Sequence, residues 1–418
     1  MRKVLGILCL LFCLYSCNSD DSSNDPVVPE PEIVKAPLTV LAYMVANNNL
    51  DDDLYENIVA MYQGLQLLDK PATLLVYWDG KTPFGENNAT HAILRFETDG
   101  EGNFNGLPAL DESYNMDVIM ATAEVVKEYS TQMSASKHVM TNVLKDMLSL
   151  APANRYGLIF GSHASAWTNS IFTSRSFGQD GPGTDNTILL PDMVEAIRST
   201  GVHFDYILFD ACYMGTIEVC YDFKDVADYL IASVMEVPAY GFPYATELMP
   251  ALFEGTEASY KKICQEFISF YTDFYTQKKS AWGTVALINS KEVNSLVSSL
   301  KNEIISHKDK LADYDVSSLQ EYGKSSGPDI AYDLRQFVKE LNDGNIPTDF
   351  DEKLNKAVLY KGCLTEARPS NYAVDAENYC GLGIYIPVSS RTDWNDYFKT
   401  IDWFSASGWN EVTFAWNF

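Results

Sequence analysis

The sequence predicts an α/β protein: a three-layer α/β/α sandwich on a mostly parallel sheet, followed by a C-terminal α+β region. Three observations carry that expectation. Apolar runs of five to nine residues recur through the first 250 positions, amphipathic helical stretches separate them, and several runs end on Asn or Asp. Continuous apolar runs mark strands buried on both faces, and the intervening helices supply the cover. Crossovers between parallel strands are overwhelmingly right-handed, and in an open sheet they place helices on both sides.

Taken in order, Leu38–Ala46 (LTVLAYMVA) lies between Pro37 and three asparagines and is expected to be a buried strand; Leu50–Leu68 is helical in period. Ala72–Trp78 (ATLLVYW), closed by Asp79-Gly80, and the alternating His91–Phe96 are expected strands, and Met116–Tyr129 and Ser136–Leu150 are expected helices. Tyr156–Ser162 (YGLIFGS), Phe204–Asp210 (FDYILFD) and Tyr229–Val234 are expected strands, with a helix at Leu190–Ser199. After about Met249 the pattern turns helical (Ser259–Thr276, Ser290–His307, Ala331–Leu341), with strands near Gly283–Ile288 and Gly381–Ile386. A boundary is therefore expected near residue 250, between regions 37–250 and 251–418. A chain of 418 residues, 46% apolar and 21% charged, has ample material for such a core.

The formal charge is −27, from 57 acids against 30 bases. A surface of that sign repels phosphate backbones and anionic lipid, so nucleic-acid binding is not expected, whereas cationic peptides are attracted. Residues 1–16 read as a signal peptide: Arg2 and Lys3 precede an apolar run from Val4 to Leu14 that is too short to span a bilayer. Leu14-Tyr15-Ser16-Cys17 resembles a bacterial lipobox, which would make Cys17 the lipidated first residue of the mature chain. Residues 17–36 are polar, acidic and Pro-bearing, as expected of a flexible tether. Ser19-Asp20-Asp21 resembles an export signal of surface lipoproteins. The expected location is the bacterial cell envelope, at the outer membrane or cell surface, with the membrane touched only through the lipid. A monomer is expected.

Active sites of open parallel sheets form at the carboxyl ends of strands. His163 directly follows Tyr156–Ser162, and Cys212 sits two residues beyond Phe204–Asp210. One helix separates these strands, so they are expected to be neighbours. An imidazole beside a thiol helps to generate the thiolate, the nucleophilic form. His91, His138, His203 and His307, and Cys220, Cys264, Cys363 and Cys380, have less favourable positions, and no CxxC or Cys/His cluster suggests zinc.

Gly161-Ser162-His163-Ala164-Ser165-Ala166-Trp167 and Phe209-Asp210-Ala211-Cys212-Tyr213-Met214-Gly215 resemble the two catalytic motifs of the clostripain family of cysteine peptidases, relatives of the caspase fold. Tyr43–Leu50, Glu236–Phe242 and Gly381–Pro387 are similar to further family segments, so the resemblance covers most of residues 37–418. It implies acyl transfer: Cys212 attacks the scissile carbonyl, His163 protonates the leaving amine, and the backbone N–H groups of Ala164 and Cys212 hold the oxyanion. The family usually has Gly after the histidine. Ala164 keeps the N–H but disfavours a positive φ.

Asp210 lies two residues before Cys212 and can face the same crevice, where a carboxylate favours Arg or Lys on the acyl side of the cut. The resemblance implies the same preference. It also implies self-cleavage in the loop that follows His163, where Arg175, the only basic residue between His163 and Arg198, is the expected cut site. No cofactor is expected. Asp51-Asp52-Asp53 admits calcium, which some family members require, but the run lacks the alternating ligand spacing of an EF-hand and suits the first turn of a helix. Two other functions fit the same sequence: a non-catalytic surface lipoprotein that binds peptide or host ligand on this scaffold, and an acyl-transferase using the same thiol.

Overall fold

Among the described residues, nine strands form one sheet in the order β10-β8-β7-β6-β5-β1-β2-β3-β4. In chain order these are β1 (Ala36–Val45), β2 (Ala72–Phe84), β3 (Ala89–Thr98), β4 (Glu124–Glu128), β5 (Ala153–Gly161), β6 (Phe204–Asp210), β7 (Ala227–Ala232), β8 (Thr284–Asn289) and β10 (Val358–Cys363). The short β9 (Tyr332–Asp333) and β11 (Gly383–Ile384) pair with each other. The computed structural model describes residues 35–101, 123–168, 177–181, 186–323 and 330–416. The signal-peptide and tether expectations, Cys17 and Arg175 lie outside the described residues.

The five central strands β7-β6-β5-β1-β2 are parallel, and both flanks are antiparallel. The period of two divides each strand between two cores. Leu41, Tyr43 and Val45 of β1 face one apolar layer with Leu158 and Phe160 of β5 and Ile207 and Phe209 of β6. Val40, Ala42 and Met44 face the other with Ile159, Tyr206 and Leu208.

The first layer is covered by α2 (Lys137–Leu150), α3 (Leu190–Arg198), α4 (Ile217–Phe223) and α7 (Ser290–Ser306). The second is covered by α1 (Asp51–Leu65), α5 (Met249–Glu254) and α6 (Glu257–Thr276). Asp51–Asp53 occupy the first turn of α1, where the helix dipole favours acids. Among the described residues, no helix is long and apolar enough to cross a membrane.

Two expectations change. Met116–Tyr129 was read as a helix, yet residues 124–128 are the edge strand β4, antiparallel to β3. The side chains explain it: Val125 packs against the second core and Val126 against the first, which is a period of two. The sheet also does not stop at residue 250. β8 adds to β7 and β10 to β8, and Lys35–Phe418 cluster as one unit. The change of pattern there marks the shift from parallel to antiparallel pairing within one sheet. Trp403 and Trp409 are fully buried, and Trp416 packs on Phe414.

Candidate active site

The β5–β6 ladder pairs Gly161 with Asp210. His163 and Cys212 therefore each stand two residues beyond the same rung, at the carboxyl ends of adjacent parallel strands. Both are half-buried. The turn that carries the thiol is tightly held: Tyr213 N–H donates to Met235 C=O (3.1 Å) and Gly215 N–H to Ser233 C=O (2.7 Å). Gly215 is required there, since a Cβ would lie 2.7 Å from Ser233 backbone. Tyr213 has φ +62°, a left-handed conformation costly for a bulky residue and typical of a turn shaped for function. Cys212 Sγ lies 4.0 Å from Val237 C=O.

His163 is oriented by a residue that motif reading had placed only within a family-like stretch. Asn49, in the loop after β1, has its Oδ1 2.9 Å from His163 Nε2. A proton on Nε2 would satisfy that amide oxygen and leave Nδ1 as the basic nitrogen. The only sequence signal was the asparagine run closing the first strand.

Ala164 forms a bridge with Phe177, closed by Gly178 N–H donating to His163 C=O at 2.9 Å. In that antiparallel pattern Ala164 lies between ladder bonds, so its own N–H stays out of the ladder. The positive φ in this loop falls at Ala166 (+54°), and Ala164 is spared the conformation that an alanine would resist.

Asp210 is 6% exposed. Its Oδ2 accepts from Tyr244 O–H (2.9 Å), Phe242 N–H (3.3 Å) and Asn57 Nδ2 (3.4 Å). Burial pushes its carboxyl up to about 6, against the opposing effect of these donors. Gly241, at φ +63°, allows this approach, since a Cβ there would sit 2.5 Å from Asp210 Oδ2. Asn57 and Tyr244 also line a cleft of about 140 Å³ with Asp53, Glu56, Tyr240 and Phe270.

Behind the nucleophile, Glu218 of α4 is fully buried. Its Oε1 accepts Tyr385 N–H at 2.9 Å, and Gly383 N–H donates to Gly215 C=O at 3.1 Å, so the β11 segment is stitched to the Cys212 turn. Oε2 has no hydrogen-bond partner among the described residues, and burial pushes the carboxyl up to about 8. The folded chain thus keeps a proton that the unfolded chain releases near 4.5, and stability is expected to fall as pH rises between those values. Glu218→Gln retains the acceptor for Tyr385 and should flatten this part of the melting temperature–pH curve. Identical curves for the two proteins would refute it.

These features meet a family model. The clostripain family matches residues 42–416. The chain belongs to the clostripain family of cysteine peptidases. Solved clostripain-family structures superpose along nearly their whole length. An inactive zymogen C11 protease from Parabacteroides distasonis is 26% identical, with a TM-score of 0.69, covering 90% of this chain and 99% of that one. A secreted C11 cysteine protease from Bacteroides thetaiotaomicron, in complex with an irreversible peptide inhibitor, is also 26% identical with a TM-score of 0.69, covering 90% and 100%. No curated protein matches the sequence. The chain is a clostripain-like cysteine peptidase with the mixed α/β, caspase-like architecture of these structures.

Proposed function

We propose that this peptidase cleaves after arginine or lysine through a His163–Cys212 dyad. The observation that carries the reading is the shared rung Gly161–Asp210, which projects both residues from the same edge of the sheet. In the proposed reaction the imidazole takes the thiol proton, the thiolate attacks the carbonyl carbon, and the oxyanion is held by the N–H groups of Ala164 and Cys212. His163 returns the proton to the leaving amine, and water then hydrolyses the thioester. This chemistry needs no cofactor.

The Asp210 charge is proposed to select a basic side chain beside the cut. The acids of the neighbouring cleft, Asp53 and Glu56, support a cationic substrate. Hydrolysis of fluorogenic peptides ending in Arg, Lys, Asp or Leu tests this: only the first two should be cut, and a signal only with Asp sinks the assignment.

Processing after Arg175 is part of the same proposal, and the similarity to an inactive zymogen C11 protease agrees with it. Mass spectrometry of active protein should show a new amino terminus at Ser176, absent in Arg175→Ala. A fully active preparation that is entirely intact refutes a processing requirement. Cys17 is proposed to carry the lipid that holds a monomeric enzyme at the cell envelope, its protein or peptide substrates reaching it from outside.

A further inference from the structure

The loop that orients His163 is itself held from far along the chain. Asn47 Nδ2 donates to Asp180 Oδ1 at 3.0 Å, and Gly181 N–H donates to Asn47 C=O at 2.7 Å. Asn48 Nδ2 donates to Gln179 C=O at 2.8 Å. Asn49, the next residue, contacts the histidine ring, and Gly178 N–H contacts the histidine carbonyl. Segment Phe177–Gly181 thus grips His163 twice, once through its backbone and once through the asparagine loop.

Asp180 is the anchor of that segment. It is 5% exposed, and its Oδ2 accepts Ser134 N–H at 2.6 Å. Ser134 is fastened by Tyr43 O–H on its carbonyl (2.8 Å) and by a hydrogen bond between its hydroxyl and that of Tyr77 (2.7 Å), so the donor to Asp180 is rigidly held. Asp79, within β2 and opposite His91 of β3, faces Asp180, and His91 Nε2 lies 3.0 Å from its Oδ1. Burial first and the Asp79 charge second push the Asp180 carboxyl above the ordinary range. Packing a second acid against a buried one is unfavourable, and the general attack chemistry does not call for it.

We propose that Asp180 is a positioning residue for the dyad: by holding Asn47 it sets the Asn49 amide, which fixes the ring of His163 relative to Cys212. The proposal rests on the His163–Cys212 reading. An asparagine at 180 can turn its oxygen to Ser134 N–H and its nitrogen to Asn47, whose amide flips, so the anchor survives without the charge. An alanine cannot.

The test uses the full chain as wild type, Asp180→Ala, Asp180→Asn and Asn49→Ala. Each is assayed for kcat and KM on an Arg peptide, for the pH dependence of Cys212 alkylation by iodoacetamide (followed by mass spectrometry), and for melting temperature. Asp180→Ala should lower kcat on the order of 10- to 100-fold with KM changed less than about twofold, because misplacement by an ångström acts on the reaction step. The pH of half-maximal alkylation should rise. Asp180→Asn should restore both readouts to within about threefold of wild type, a margin far smaller than the loss from misplacement. Asn49→Ala should reproduce the alanine phenotype, which keeps the test valid if Asp180→Ala does not fold. An unchanged alkylation profile in both alanine variants, or equal losses in Asp180→Ala and Asp180→Asn, overturns the proposal. A wild-type Cys212 no more reactive than Cys363 overturns the dyad itself, a distinguishable failure that removes this proposal too.

Discussion

Replacing Cys212 by alanine is expected to lower kcat toward an Arg peptide by about 10⁶-fold, the loss typical of removing an acyl-transfer nucleophile. Among the described residues no other thiol is placed to take over. Burial raises Cys220, Cys264 and Cys380 well above the ordinary thiol range and Cys363 to about 11, so all four stay protonated at neutral pH. Among the described residues, Cys212 alone of the five free cysteines also stands at the carboxyl end of a central strand. The substitution removes one half-buried sulfur that approaches Val237 C=O at 4.0 Å, so the fold and peptide affinity should persist. Binding measured by calorimetry beside hydrolysis checks both halves. Residual activity within tenfold of wild type would end the assignment of Cys212 as nucleophile, and intact binding without any wild-type hydrolysis would favour a peptide-binding protein on the same scaffold.

The second large effect concerns selectivity. Asp210→Asn is expected to reduce kcat/KM for Arg and Lys peptides on the order of 100-fold, the scale for removing one partner of a desolvated charge pair. An oxygen remains for the donors Tyr244, Phe242 and Asn57, so the turn should hold. Its pH behaviour is a second signature. The folded carboxyl lies at about 6, so the charge that attracts a basic side chain is largely present at pH 7 and disappears as pH falls through 6. In wild type KM for Arg peptides should therefore rise on acidification across that interval, and in Asp210→Asn this step should be absent. An unchanged Arg-to-Leu preference in the variant rules Asp210 out as the selecting charge.

The dyad candidates were legible in the sequence because chain position and strand position coincide in a parallel sheet: residues just past consecutive apolar runs emerge at one edge. Singling out His163 and Cys212 needed only the two local motifs. Asp210 was legible as a strand-end acid, but its burial was not, because the three donors on Oδ2 come from residues 57, 242 and 244. Asn49 and Asp180 were not legible as partners of the site, since their contacts join positions more than 100 residues apart. β4 was misread because its two valines fit a helical stripe as readily as an edge strand, and only the exposed flank of β3 decides between them.

By itself the amino-acid order determined the central strands and the helices between them, that those strands run parallel, and which imidazole and thiol stand at their ends. These follow from side-chain period and local backbone preference, which near neighbours in the chain settle. The tertiary structure decided that the sheet continues through β8 and β10, that Asp210 loses its water, and that a buried acid from beyond Phe177 holds the loop orienting His163. Desolvation and long-range hydrogen bonding arise only when distant segments close on one another, and the local pattern of the chain does not encode which segments those will be.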